Sequence, residues 1–258
     1  MRVAIVIPVW NEAAAIGRVL SEIPSGIADE VFVVDGGSTD GTQDVARAMG
    51  ATVIPQQGRG YGAACLTGAR AATAEVLVYI DGDYSDPPGL IPRVLRPIRD
   101  GRADLVLGSR TRGRMAPGAL PLHARLGNQI AVALLRLLYG LPVTDLPSFK
   151  AIGRVHLLSL GIRDLHYGWT AEMIAHAARR GLRVREVPID YRVRIGESKV
   201  SGTLKGSIKA GYAIPRAVLG VRFRPPPPAP LRASAGGGAG GGVTPSPLPS
   251  PHATNRRR

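Results

Sequence analysis

Val76-Leu77-Val78-Tyr79-Ile80-Asp81-Gly82-Asp83 decides how this chain is read. The first five residues are apolar and rich in β-branched and aromatic side chains, which reads as a buried strand. Two carboxylates one residue apart at its end are poorly explained by packing. A strand running into a loop holds them rigidly at a crevice, where open α/β sheets bind ligands. Closely spaced oxygen ligands suit a hard divalent cation, Mg²⁺ or Mn²⁺, that also grips a diphosphate. Asp-Gly is equally a common turn pair, so the motif alone also fits a plain polar turn.

Outward from this strand, apolar strand patterns at 4–9, 30–34, 51–54, 76–80 and 104–107 alternate with helical patterns at 16–23, 42–49, 62–72 and 90–100. Such alternation implies βαβ units, an α/β fold and a mostly parallel sheet with flanking helices. Thr39-Asp40-Gly41-Thr42 and Asp86-Pro87-Pro88 mark two helix starts. The second half changes character. Residues 125–139 predict an amphipathic helix showing Leu126, Ile130, Ala133, Leu134, Leu137 and Leu138 on a broad apolar face. A helix is expected at 169–180 and a strand at 184–191. Residues 204–216 predict a basic amphipathic helix, with Leu204, Ile208 and Tyr212 at four-residue spacing and Pro215 ending or kinking it. From 225 onward the Pro/Gly-rich sequence lacks the apolar surface to order. The expected organisation is therefore an α/β domain over 1–200, a basic helical segment over 201–224 and a disordered tail over 225–258.

A chain of 258 residues is long enough for one sizeable α/β core without staples. Its single cysteine, Cys65, excludes an internal disulfide, suits a reducing compartment and reads as buried filler. The net charge is +14, yet no acidic residue follows Glu197 and ten basic ones do, which leaves +4 for residues 1–197. A charge excess gathered at one end, without interleaved aromatics, argues against a nucleic-acid-binding face. Beside apolar residues it can attract anionic headgroups. No signal peptide is legible and no run reaches the roughly 18 apolar residues of a membrane span. The expected location is cytoplasmic, at the periphery of a membrane.

Three further loops lie at the same predicted sheet edge. Ile7-Pro8-Val9-Trp10-Asn11-Glu12 offers a flat indole for a base and a carboxylate for a hydroxyl; the plainer reading is a helix-start acid. Val34-Asp35-Gly36-Gly37-Ser38-Thr39-Asp40-Gly41-Thr42 offers close backbone approach and an acceptor at Asp35, or simply a well-capped loop. It is neither a P-loop nor a dinucleotide fingerprint. Gly58-Arg59-Gly60-Tyr61-Gly62 can admit a phosphate or sugar.

Pro8-x-Trp10-Asn11-Glu12, Asp35-Gly36-Gly37-Ser38-x-Asp40-Gly41-Thr42, Asp81-Gly82-Asp83, Gly108-Ser109-Arg110 and Gly196-Glu197-Ser198-Lys199 occur in that order. Over about residues 1–215 the chain resembles a family-2 glycosyltransferase with the Rossmann-like GT-A fold, most similar to the dolichyl- or polyprenyl-phosphate mannose and glucose synthases. The resemblance implies that Pro8, Trp10, Glu12, Val34 and Asp35 hold the nucleoside, with Trp10 where the family usually has Tyr. It implies that Asp81, Gly82, Asp83 and Ser85 form the DXD region, Asp83 being the direct metal ligand. Arg110 would lie near the diphosphate and acceptor phosphate. Asp145, Ser148 and Lys150 would meet the acceptor, Lys150 replacing an Arg and losing its bidentate fork. Arg192, Arg194 and Lys199 would face the diphosphate, although Val193 stands where an Arg is expected. Gly36 replaces an Asp that contacts the base.

The implied reaction moves a hexose from a nucleotide-diphosphate sugar, such as GDP-mannose or UDP-glucose, to a polyprenyl phosphate, with inversion. An acceptor that is already anionic needs no general base. A saccharide or other non-lipid acceptor would need one, for which Glu172 or Asp145 are the candidates. A nucleotidyltransferase would share the architecture but release pyrophosphate.

Overall fold

The computed structural model describes residues 1–196 and 204–223, the side chains of 204–210 excepted. Lys199 and the proposed tail over 225–258 lie outside the described residues, as do the side chains of Lys205 and Lys209. Seven strands form one sheet in the order β3-β2-β1-β4-β6-β5-β7: β1 (Val3–Val9), β2 (Glu30–Asp35), β3 (Thr52–Pro55), β4 (Val76–Tyr79), β5 (Leu105–Ser109), β6 (Lys150–Gly153) and β7 (Val184–Pro188). All pairings are parallel except those of β6, which runs antiparallel to both β4 and β5. The mostly parallel α/β sheet is thus as expected.

Helices cover both faces: α1 (Ala13–Ser21), α2 (Thr42–Ala48), α3 (Tyr61–Ala71), α4 (Ile91–Arg99), α5 (Leu122–Tyr139), α6 (Arg154–Ser159), α7 (Trp169–Arg179) and α8 (Leu204–Phe223). Successive side chains along a strand point to opposite faces. So Ala4, Val6, Leu77 and Tyr79 pack towards α3 and α7, while Val3, Ile5, Ile7 and Val78 pack towards α1 and α4.

Strand order reverses between β1, which leads to β2 and β3, and β4, which leads to the other half. Open α/β sheets bind ligands beyond the carboxyl ends of such strands. Pro8 helps open this crevice. Pairing of β1 with β4 ends at Val6 opposite Tyr79, and the Val6 carbonyl accepts from Ile80 N. The backbone of Pro8, two residues on, faces the same side and has no N–H to continue the ladder.

Two features escape the sequence pattern. Lys150–Gly153 is only four residues long, carries a lysine and is followed at once by α6, so nothing in its periodicity announces a strand. Helix α8 does not end at Pro215 but continues to Phe223. Its last turns are held by burial of Ala217, Val218 and Val221, and the Tyr139 hydroxyl donates to the Val218 carbonyl at 2.6 Å. This half of α8 packs on α5 and α7. The apolar face of α5 is also redistributed: Ala131, Val132 and Leu135 are buried, whereas Leu126, Ile130 and Leu137 are exposed. Among the described residues no helix is long and apolar enough to cross a membrane.

Candidate active site

The loops after β1 and β2 are knitted together. Asn11, in the left-handed region, donates its N–H to Ser38 Oγ at 2.8 Å and accepts from Thr39 N at 2.9 Å. Glu12 N and Ala13 N donate to Thr42 Oγ1 and Asp40 Oδ2. Burial pushes the Asp40 carboxyl up, but hydrogen bonds from Thr42 and Ala13 outweigh it and hold it below its ordinary range. Asp35 is buried and uses both oxygens inside its loop. They accept from Gly37 N, Ser38 N, Ser38 Oγ and, at 2.8 Å, Gln43 Nε2. Its carboxylate therefore shapes the loop. Val34 is fully buried among core side chains, so only its backbone borders the crevice. Trp10 is 52% exposed beside Gly36. Gln56 was not singled out from the sequence. Its side-chain oxygen lies where a Cβ on Gly36 would point, at 3.2 Å, and it fills the space that a longer residue at 36 would occupy.

Asp81, Gly82 and Asp83 emerge from β4 against the end of β1. A Cβ on Gly82 would approach Val9 Cγ1 to 2.5 Å, so only glycine brings the acidic loop this close to the Trp10 loop. The DXD region, the Trp10 loop and the Asp35 loop thus border one crevice. Asp83 is buried; Oδ1 accepts from Ser85 N at 2.9 Å and Ser85 Oγ at 2.6 Å, and Oδ2 is paired with the Arg194 guanidinium. Two backbone bonds dock the 192–195 segment onto this loop, Arg192 N to Ser85 O at 3.0 Å and Ile195 N to Asp83 O at 2.9 Å. Arg192 itself turns away. It pairs with Glu22 at 2.8 Å and lies 4.4 Å over the ring of Tyr84, a non-glycine residue at positive φ. Of the two arginines expected to face the diphosphate, Arg194 is the one at the carboxylates.

Asp86 continues the acidic loop. Its Oδ2 accepts from Asp81 N and from Ser148 Oγ at 2.7 Å, while Oδ1 is buried without a partner. Burial, and then the charge of Asp81, push its carboxyl up to about 7. Asp81 and Asp83 offer hard oxygen donors, Asp83 already holds a cationic group, and Asp86 leaves a buried oxygen orphaned. This donor set fits a divalent ion. Among the described residues no three ligating side chains cluster. That is the usual situation for an ion held by one or two carboxylates and completed by substrate phosphates.

Arg110 is held from three directions by Asp145: N and Nε donate to Oδ2 at 2.8 Å and Nη2 to Oδ1 at 2.7 Å. Tyr191 lies under the guanidinium at 5.1 Å. Burial disfavours its charge, but Asp145 outweighs burial and keeps Arg110 ionised. Asp145 is fully buried and saturated, so it orients Arg110 and is not placed to touch an acceptor. Lys150 requires a clearer correction. It is fully buried beneath the site, with Nζ donating to the carbonyls of Pro147 and Ser148 and to Thr170 Oγ1. Tyr61, Tyr79 and Trp169 surround it at 5.3 to 5.7 Å. Burial lowers its pKa. It ties down the turn that presents Ser148, and no acceptor phosphate reaches it in this geometry.

The glycine-rich lead into α3 also serves packing. A Cβ on Gly60 would collide with His166 and Leu165 O, and one on Gly62 with Trp169. The loop over 165–166 packs against this helix start, while Gly58 and Arg59 before it are exposed. Glu172, one candidate base, accepts from Arg163 N and Asp164 N, with its other oxygen 3.6 Å from His176 Nε2.

Comparison with known proteins agrees with this architecture. The family model described as "Glycosyl transferase family 2" matches residues 4–160. An uncharacterized glycosyltransferase of Mycobacterium tuberculosis is 39% identical over 210 residues, covering 81% of this chain and 94% of its own. A dolichyl-phosphate hexose transferase of Haloferax volcanii is 37% identical over 229 residues, covering 86% of this chain and 96% of its own. Glucosyl-3-phosphoglycerate synthase from Mycobacterium tuberculosis, solved with Mn²⁺, UDP and glucosyl-3-phosphoglycerate, superposes with a TM-score of 0.72 at 25% identity, covering 87% of this chain and 81% of its own. With its GT-A sheet and the acidic crevice at its switch point, the chain belongs to glycosyl transferase family 2.

Proposed function

We propose that the enzyme transfers a hexose from a nucleotide-diphosphate sugar to the anionic oxygen of a polyprenyl phosphate. The observation that carries this reading is Arg110: a buried guanidinium, preorganised by Asp145, stands beside the acidic loop, while both candidate bases are already engaged. A fixed cation, with Glu172 and Asp145 both engaged, suits an acceptor that arrives ionised. A hydroxyl acceptor needs a proton removed. The likeness to a dolichyl-phosphate hexose transferase supports the same acceptor class.

Trp10 would stack on the base and Glu12 would receive a hydroxyl of the nucleoside. Asp81 and Asp83 would hold Mg²⁺ or Mn²⁺, which supplies charge stabilisation to the leaving diphosphate. Arg194 would pass from Asp83 to a phosphate oxygen once the donor is bound, and Lys199 would add positive charge at the diphosphate. Arg110 and Ser148 would position the acceptor phosphate for attack opposite the leaving group, inverting the anomeric carbon. Leu122, Leu126, Ile130 and Leu137 on α5 would rest on the membrane that carries the lipid, at its cytoplasmic face.

The test is a donor screen of purified protein with UDP- and GDP-hexoses, Mn²⁺ or Mg²⁺, and either a short polyprenyl phosphate or 3-phosphoglycerate, read by mass spectrometry. A lipid-linked hexose with release of nucleoside diphosphate is expected. Product on the soluble acceptor alone would overturn the lipid assignment, and pyrophosphate release would overturn the reaction class.

A further inference from the structure

Away from the β4 loop, between α4 and β7, lies a groove of about 900 Å³ lined by Arg93, Arg96, Arg102, Arg183 and Arg185. Strand β7 is an edge of the sheet. Along it side chains alternate between faces. Arg183 and Arg185 share a face with Val187, which packs on the α4 side. The Glu186 carboxylate turns to the other face, where Thr144 donates to it through N at 2.6 Å and Oγ1 at 2.8 Å. The strand's one acid is thereby removed from the groove.

Two carboxylates oppose the five arginines. Asp104 is consumed by Arg183, and Asp100 is shared between Arg102 and, at 3.8 Å, Arg96. Arg93 donates to the Pro188 carbonyl at 3.1 Å, and the exposed side chain of Arg185 has no hydrogen-bond or ion-pair partner among the described residues. Positive charge is left in surplus along the whole of β7, five residues or about 17 Å.

The backbone decides what class of anion fits. Arg183 O and Ile189 N bond to β5, so the even-numbered residues face outward. Their carbonyls at Glu186 and Pro188 already accept from Arg112 and Arg93. An acidic peptide adding here as an eighth strand would have to displace both of these bonds and would find no N–H at Pro188. Guanidinium forks instead match phosphate oxygens in bidentate fashion. We propose that this groove is a second anion site that binds a row of phosphate groups, from a soluble oligophosphate or from adjacent phospholipid headgroups. It shares no residue with the crevice and does not rest on the proposed transfer reaction.

The full chain is titrated with tripolyphosphate and with orthophosphate in the presence of EDTA, and sedimented with phosphatidylglycerol or phosphatidylcholine vesicles. The comparison is the double variant Arg96→Gln/Arg185→Gln, whose side chains are exposed and whose thermal midpoint serves as the folding check. Tripolyphosphate is expected to bind more tightly than orthophosphate, and the variant to lose about tenfold in affinity. A loss confined to phosphatidylglycerol vesicles assigns the phosphates to lipid, and one confined to tripolyphosphate assigns them to a soluble ligand. The proposal falls if no probe binds, or if the folded double variant binds every probe as the parent does.

Discussion

Asp83 divides its carboxylate between two tasks, Ser85 on one oxygen and Arg194 on the other. Asp83→Asn keeps the shape and the Ser85 contact but removes the negative charge that attracts a cation. Transfer is expected to fall about 100-fold or more, with Mn²⁺-dependent nucleotide binding lost and the thermal midpoint little changed. Unchanged turnover would remove Asp83 from the site. Lys150 is legible in the sequence only as a charge, and a charge at the end of an acceptor-like motif reads as a phosphate contact. Its aromatic surroundings come from β4, α3 and α7, which no local pattern brings together. Lys150→Met leaves the carbonyls of Pro147 and Ser148 unbonded. It is expected to cost about 1–3 kcal/mol in urea denaturation, whereas full stability would deny it the tethering role. Cys65 is buried in the core, and burial first of all pushes its thiol up from 9.0 to about 12. A raised folded value means that its contribution to stability is complete below pH 9 and is lost as pH climbs from 9 towards 12. The native protein should resist thiol reagents at pH 8 and react only on denaturation. Rapid native labelling would show that the core opens.

At the scale of elements, α5 and α8 carry the clearest division between packing and interaction. Their buried residues join the core beside α7, and their exposed ones, including Leu122, Leu137, Tyr212 and Phe223, do not. Replacing Leu126, Ile130 and Leu137 with Gln is expected to lower sedimentation with anionic vesicles while leaving stability within about 0.5 kcal/mol. Val218→Ala, on the buried face of α8, is expected to cost about 2 kcal/mol without changing vesicle binding. If the α5 variant destabilised the fold and left sedimentation intact, that face would be a packing surface. Helical periodicity identified both helices but not which of their apolar residues are covered, because a wide apolar stripe offers several orientations and only neighbouring helices select one. Strand β6 was illegible for a related reason: four residues in antiparallel pairing between β4 and β5 gain their order from those partners, not from their own pattern.

At the scale of the molecule, a ligand that binds only the folded crevice must stabilise the whole chain. Mn²⁺ with its nucleotide-diphosphate sugar at 100 times the dissociation constant should add about 2.7 kcal/mol, and EDTA should abolish the gain. A midpoint that rises with nucleotide but is indifferent to EDTA would exclude a metal bridge. The sequence by itself determined the strand–helix alternation, the parallel half-sheet and the identity of the loops at its carboxyl edge, because these depend on local periodicity and turn chemistry. Only the tertiary structure decided which polar groups at that edge remain available. Asp35, Asp145, Lys150 and Glu172 look equivalent to Asp81 or Arg110 as letters. Once the chain closes, hydrogen bonds engage the first four: Asp35 with its own loop and Gln43, Lys150 with the turn at Pro147 and Ser148 and with Thr170, Glu172 with Arg163 and Asp164, and Asp145 with Arg110. A buried polar group is costly unless it is partnered, and the folded backbone is what brings each partner into place.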